Sequence, residues 1–133
     1  MRTAARVLIV EDEFLVQTML TEILHELGYA VVASAATLED AKQQALRSDI
    51  DLAILDVNLR GEKVFPAADI LESRDVPFCF VTGYGIEGVG NPYRTHPVLQ
   101  KPFDEGDLAR TLRKMWRKRS RPPDAVPVRS AKI

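Results

Sequence analysis

A single cysteine, Cys79, stands among the 133 residues, which excludes an internal disulfide. It lies inside Pro77-Phe-Cys-Phe-Val81, where a small buried hydrophobe is expected rather than a reactive thiol. Apolar runs are short: none approaches the roughly 20 residues that a membrane-spanning helix needs. Near the N-terminus only Val7, Leu8, Ile9 and Val10 separate Arg6 from Glu11, too few for the apolar stretch of a secretory leader. The chain is therefore expected to be cytoplasmic. Net charge is nearly absent too, at -1. What is present is ordinary: 46% apolar and 28% charged residues, enough for one core of domain size with a tail.

The small net charge conceals an asymmetry. Residues 1–109 hold 9 Lys/Arg against 18 Asp/Glu, whereas residues 110–133 hold 9 against 1. The basic cluster of Arg110, Arg113, Lys114, Arg117, Lys118, Arg119 and Arg121 is open to two readings. It attracts nucleic acid or an acidic partner, or it is a solvated helix face whose cations suit the helix C-terminus. With Trp116 the only aromatic among these cations and no recognised motif, the nucleic-acid signal is charge alone, and nucleic acid is not the expected partner.

The most informative stretch is Asp51-Leu-Ala-Ile-Leu-Asp56, followed by Val57-Asn-Leu-Arg-Gly61. A short apolar run bounded by polar residues and Gly reads as a strand buried on both faces, as in a parallel sheet. It ends in a carboxylate. The carboxyl ends of strands open onto the ligand crevice in such sheets, so Asp56 is either a chemical group there or a loop cap. Groups that other strands bring to the same edge decide between the two.

In chain order, Arg6 to Val10 reads as a first strand running into Glu11, Asp12 and Glu13, with Asp12 as N-cap of the next helix. Phe14, Leu15, Val16, Met19, Leu20, Ile23, Leu24 and Leu27 recur at helical spacing until Gly28. Tyr29–Ser34 is a strand. Thr37 and Asp40 fit a capping box for a helix with Leu38, Ala41, Ala45 and Leu46 inward. After the Asp56 strand, 61–64 reads as loop, Pro66 starts a short helix ending near Arg74, and Pro77–Thr82 is strand. Tyr84–Tyr93 carries three glycines and a proline, which disfavours a regular helix. Pro97–Lys101 is a last strand and Asp104–Arg119 a last helix, with Leu108, Leu112, Met115 and Trp116 inward. Residues 121–133 lack a core pattern and read as a disordered tail after a domain at 1–120. The alternation predicts an α/β fold, a doubly wound five-stranded parallel sheet with an irregular fourth helical region.

At the carboxyl edge the strands then deliver Glu11 and Asp12, Asp56, Thr82 and Lys101. Two like charges 4 Å apart repel by about 4 kcal/mol at an effective dielectric near 20, so three clustered carboxylates need a cation or a proton. Neither His25 nor His96 falls on this edge, and an oxygen-only set points to Mg²⁺ or Mn²⁺ rather than zinc. Lys101 and Thr82 suit a phosphoryl group, one as a compact charge and the other as a hydroxyl donor. Together these groups describe phosphoryl transfer onto a carboxylate.

With Glu11-Asp12, Asp56, Thr82 and Lys101-Pro102 in this order, the chain resembles a response-regulator receiver domain over roughly residues 5–119. The resemblance implies a flavodoxin/CheY-like (βα)5 fold and Asp56 as acceptor of phosphate from a histidine kinase or phosphotransfer protein. It implies Mg²⁺ on Asp12, Asp56 and the Asn58 carbonyl, with Glu11 assisting through water. Lys101 is implied to pair with the phosphoryl oxygens and Thr82 to turn toward one of them. It also implies a cis Lys101-Pro102 bond, with Asn58 and Tyr84 tuning the lifetime of the aspartyl phosphate. Phe80-Val-Thr-Gly-Tyr-Gly85 and Pro97-Val-Leu-Gln-Lys-Pro-Phe103 further resemble the FAT GUY subgroup, with Val81 where its motif has Ala. Gly83 then leaves room for phosphate to reach Asp56.

One departure stands out: the usual switch aromatic, three residues before the Lys, is Val98. Two substitutes are open: Tyr84, or ordering of the glycine-rich 84–93 loop on phosphorylation. A stand-alone, non-enzymatic signalling domain is expected, a monomer or weak dimer with no membrane contact. It would act by contact with a downstream protein, by relaying phosphate or by draining it. The alternative is a small phosphatase resembling the haloacid-dehalogenase type, which shares an Asp nucleophile, Thr, Lys and Mg²⁺. Those enzymes place the nucleophile on the first strand within Asp-x-Asp, whereas Asp56-Val-Asn58 falls on the third.

Overall fold

The structure, a computed structural model, describes residues 4–83, 89–90, 93 and 95–119. The elements run β1 (Arg6–Val10), α1 (Phe14–Glu26), β2 (Ala30–Ala35), α2 (Leu38–Gln44), β3 (Leu52–Asp56), β4 (Asn58–Leu59), β5 (Glu62–Lys63), α3 (Phe65–Ser73), β6 (Phe78–Thr82), β7 (Val98–Gln100) and α4 (Glu105–Arg119). Five strands form one parallel sheet in the order β2-β1-β3-β6-β7. The chain passes from β1 outward to β2 and then back across to β3. The sheet therefore reverses direction between β1 and β3, and a crevice opens at their carboxyl ends. Glu11 follows one of these strands and Asp56 ends the other.

Alternation along each strand divides the core in two. Leu8, Val10, Ala53, Leu55, Phe78 and Phe80 pack with Ala41 of α2 and Ala67, Ala68 and Leu71 of α3. Val7, Ile9, Leu52, Ile54, Cys79 and Val81 pack with Leu20 and Leu24 of α1 and Leu108, Leu112 and Met115 of α4. Because helices cover both faces, every residue of β3 and β6 is buried, as their unbroken apolar sequence predicts. Cys79 is fully buried, and burial pushes its thiol up to about 12, so it is inert packing.

Local chemistry sets the helix ends. The Thr37 hydroxyl accepts the Asp40 amide, as the capping pattern predicts. At Gly28, with φ +95°, the Tyr29 amide reaches the Leu24 carbonyl and the Gly28 amide the His25 carbonyl, a Schellman end that favours glycine. Asp104 caps α4 reciprocally: its carboxylate takes the Asp107 amide and its amide gives to the Asp107 carboxylate.

Three local expectations are corrected. Residues 58–63 form a small antiparallel hairpin where 61–64 reads as loop, with Arg60 and Gly61 at φ +54° and +89° in its turn. The cap position of α1 is Glu13 rather than Asp12, whose carboxylate instead accepts the Arg60 amide. Leu46 is exposed rather than inward, because α2 ends at Gln44 and helical periodicity stops there. Phe14, Leu15 and Met19 also lie exposed, since among the described residues no element covers the outer flank of α1. Trp116 is half-buried against the α1/α4 side of the core, and Arg110, Arg113, Lys114 and Arg117 line the outer face of α4. The irregular region at 84–92 lies almost wholly outside the described residues, and the tail at 121–133 lies wholly outside them. Among the described residues no helix is long and apolar enough to cross a membrane.

Candidate functional site

Three strand ends converge. Glu11 leaves β1 with its amide bonded to the Ala35 carbonyl at 2.9 Å, and its side chain is only 2% exposed. Its Oε2 accepts the Glu13 amide at 3.0 Å, and its carbonyl accepts Gln17 Nε2 at 3.0 Å. Asp56 closes β3, buried, with Oδ1 accepting the Asn58 amide at 3.3 Å. Asp12, half-buried, holds the Arg60 amide on Oδ2 at 3.0 Å. Each of Glu11, Asp12 and Asp56 offers an oxygen within 4.8 Å of the other two.

The fourth group comes from β7. Lys101 directly follows Gln100, its amide tied to the Thr82 carbonyl at 2.9 Å, and its peptide bond to Pro102 is cis. Its Nζ stands 3.4 Å from Glu11 Oε1 and 3.5 Å from Asp56 Oδ2. Thr82 ends β6, buried, one residue past Val81, the partner of Asp56 in the β3–β6 ladder. Asn58 is exposed in the hairpin, where its side-chain oxygen accepts the Gly61 amide at 3.0 Å. A Cβ placed on Gly83 would meet no atom of the described residues within 4 Å, so among them the space beside Thr82 is open. Tyr84 lies outside the described residues. Val98 is half-buried and pairs with Phe80 across the β6–β7 ladder.

The electrostatics follow from this crowding. Burial, then the charge of Asp56, raises the Glu11 carboxyl to about 7, against the pull of the Glu13 amide and Lys101. Burial also raises Asp56, with Lys101 opposing. Lys101 loses from its own burial but gains more from Asp56 and Glu11, and its ammonium is held above the usual range. One ammonium faces three carboxylates, so the cluster retains a negative surplus. The donors are all oxygens, a chemistry that suits a hard cation such as Mg²⁺, and they lie within 4.8 Å of one another, so the residues fit such an ion.

The structure thus brings Glu11, Asp12, Asp56 and Lys101 together and sets Thr82 and Asn58 on their immediate flanks. Sequence reasoning missed two supporting groups. Gln17, which pins the Glu11 carbonyl, sits one turn into α1 among apolar residues that dominate the pattern. The Arg60 amide carries no side-chain signal at all.

The family described as response regulator receiver domain matches residues 7–113. Among curated proteins, the transcriptional regulatory protein PdtaR of Mycobacterium tuberculosis is 34% identical over 107 residues, 77% of this chain and 52% of its own. The transcriptional regulatory protein YvrH of Bacillus subtilis is 30% identical over 113 residues, 82% of this chain and 48% of its own. The chain spans about half the length of the curated relatives it matches. Among solved structures, SdrG from Sphingomonas melonis Fr1 is 42% identical with a TM-score of 0.76, covering 86% of this chain and 98% of that one. The receiver domain of the sensor histidine kinase PA1611 from Pseudomonas aeruginosa PAO1 is 25% identical with a TM-score of 0.70, covering 85% and 98%. That structure holds a magnesium ion coordinated in the active-site cleft.

Proposed function

Because the chain belongs to the response-regulator receiver family, we propose that Asp56 accepts a phosphoryl group from the phosphohistidine of a histidine kinase or phosphotransfer protein, with Mg²⁺. The observation that carries this reading is the buried Asp56 beside Lys101 and within reach of Glu11 and Asp12. An Asp56 carboxylate oxygen attacks phosphorus, and the phosphorus–nitrogen bond breaks. The released electron pair returns to the imidazole, which takes a proton from solvent. Asp12, Asp56 and the Asn58 carbonyl would hold Mg²⁺, with Glu11 assisting through water, and the ion would neutralise charge on the phosphoryl oxygens.

The protein's own groups do the rest. Lys101, already poised between Glu11 and Asp56, turns its ammonium to the phosphoryl oxygens and balances the added charge. Thr82 donates its hydroxyl to one of them. Asn58 and Tyr84 set how readily water reaches the acyl phosphate. The domain spans residues 1–120, with 121–133 as a basic tail, and the motifs at 80–85 and 97–103 assign it to the FAT GUY subgroup. It works in the cytoplasm as a signalling phosphoacceptor that reacts only with its own phosphate. Its output is contact with a downstream protein, phosphate relay or phosphate drainage. The haloacid-dehalogenase alternative is less favoured, because Asp56 ends β3 rather than the first strand.

Borohydride reduction tests the assignment, since it converts an aspartyl phosphate to homoserine. After incubation with acetyl phosphate and Mg²⁺, peptide mapping is expected to show homoserine at position 56 alone. Homoserine at another aspartate, or at none, would overturn it.

A further inference from the structure

The turn that leads into β7 is fastened to α3. Its backbone closes through the Tyr93 amide on the Gly90 carbonyl and the His96 amide on the Tyr93 carbonyl, each at 3.0 Å. Both side chains then reach the same helix face. The Tyr93 hydroxyl donates to Asp69 Oδ1, and His96 Nε2 lies 2.6 Å from Glu72 Oε1, three residues further along α3. Burial and the Asp69 carboxylate push the Tyr93 hydroxyl up to about 12, so it remains a donor.

The Tyr93 ring has two more partners. It stacks on Phe65 at 4.7 Å between centroids, and it meets Phe80 edge-on at 5.7 Å. Phe65 and Phe80 also contact each other edge-on. Phe80 precedes Thr82 by two positions on β6 and so faces the same side of the sheet. Phe65 opens α3 directly after Val64, whose amide bonds the carbonyl of Val57, the neighbour of Asp56. Tyr93 therefore touches one residue tied to each of the two strand ends, Thr82 and Asp56. Val98, a short aliphatic on the far partner of Phe80, has no ring to make such contacts. His96 adds a stack on Phe78 at 4.0 Å.

We propose that Tyr93 is the positioning residue that couples the Asp56–Thr82 site to α3, in the place Val98 leaves open, with His96 on Glu72 as the second fastening. The inference rests on the phosphoacceptor reading of Asp56. When Thr82 shifts toward an occupied Asp56, Phe80 and Phe65 change their spacing. A stacked ring between them transmits that change to the helix to which its own hydroxyl is bonded.

The test uses the full chain with Mg²⁺ and beryllofluoride, the stable mimic of the acyl phosphate. Binding is followed by fluorine NMR, and amide exchange is followed over residues 65–73. In the wild type, binding is expected to change exchange in this helix at least threefold. Tyr93→Leu is expected to bind the mimic within about twofold of wild type and to lose the α3 response. Tyr93→Phe, which keeps the rings, is expected to keep at least half of it. Asp69→Ala with Glu72→Ala, both at exposed positions, removes the two polar fastenings, and it is expected to lower the response at least twofold whether or not Tyr93→Leu folds. A wild-type helix that does not respond to bound mimic, or a Tyr93→Leu helix that responds fully, would overturn the coupling alone. Absence of mimic binding in the wild type would overturn the phosphoacceptor reading and the coupling with it.

Discussion

The Lys101 ammonium stands 3.5 Å from the Asp56 carboxylate, although 44 residues of chain separate them; only the order β3-β6-β7 in one parallel sheet brings them together. The same ammonium lies 3.4 Å from Glu11. It is thus the counter-charge of the acidic cluster before any ligand arrives, and its removal has two separable consequences. Lys101→Met leaves the carboxylates uncompensated, so Mg²⁺ is expected to bind several-fold more tightly by titration calorimetry. Phosphorylation by acetyl phosphate is expected to slow at least tenfold, because the phosphoryl oxygens lose their cation. Weaker Mg²⁺ binding in this variant would contradict the charge argument.

Glu11 makes metal-free stability depend on pH. Its carboxyl is raised from 4.5 to about 7, so the folded protein holds its proton more tightly than the unfolded chain does. That contribution is fully present below about pH 4.5 and is lost as pH rises through about 7. In EDTA, urea unfolding at pH 8 is expected to show up to about 3 kcal/mol less stability from this group than at pH 4.5. Glu11→Gln removes the dependence, so the difference between wild type and variant isolates it.

Arg60 occupies a left-handed backbone position, φ +54°, in a two-residue hairpin turn before Gly61. Such turns favour Asn-Gly, and a bulky residue there costs about 1 kcal/mol. Arg60→Asn is expected to stabilise the protein by about 0.5–1 kcal/mol in urea. Asp12→Ala, which deprives the Arg60 amide of its acceptor, is expected to cost about 1 kcal/mol in the absence of metal.

Gly83 separates space needed by the fold from space needed by the ligand. With no atom of the described residues within 4 Å of an added Cβ, Gly83→Ala is expected to melt within about 2 °C of wild type. If phosphate reaches Asp56 past the residue after Thr82, as proposed for this family, the added methyl group is expected to lower the rate of phosphorylation. A normal rate would show that phosphate enters from another side.

How much of this was legible in the sequence depended on what each signal encodes. Asp51–Asp56 and Pro77–Thr82 announced doubly covered strands, because burial on both faces removes polar alternation. The carboxyl-edge set of Glu11, Asp12, Asp56, Thr82 and Lys101 followed from strand ends alone. The β4–β5 hairpin did not, because Arg60 fills a position where Asn would have signalled the turn. Helical spacing grouped Phe14, Leu15 and Met19 with Leu20 and Leu24, yet periodicity says which residues share a flank and not whether anything covers it. The sequence marks Lys101 as a partner for phosphate. Its present place between two carboxylates arises from side chains of three strands meeting, which no local pattern encodes.

Intact-mass spectrometry after incubation with acetyl phosphate, with and without Mg²⁺, tests the central claim most directly. The wild type with Mg²⁺ is expected to gain one phosphoryl group, about 80 Da, and Asp56→Asn to gain none. An unchanged wild-type mass under Mg²⁺, or an equal gain in Asp56→Asn, would contradict the assignment of Asp56 as the phosphoacceptor.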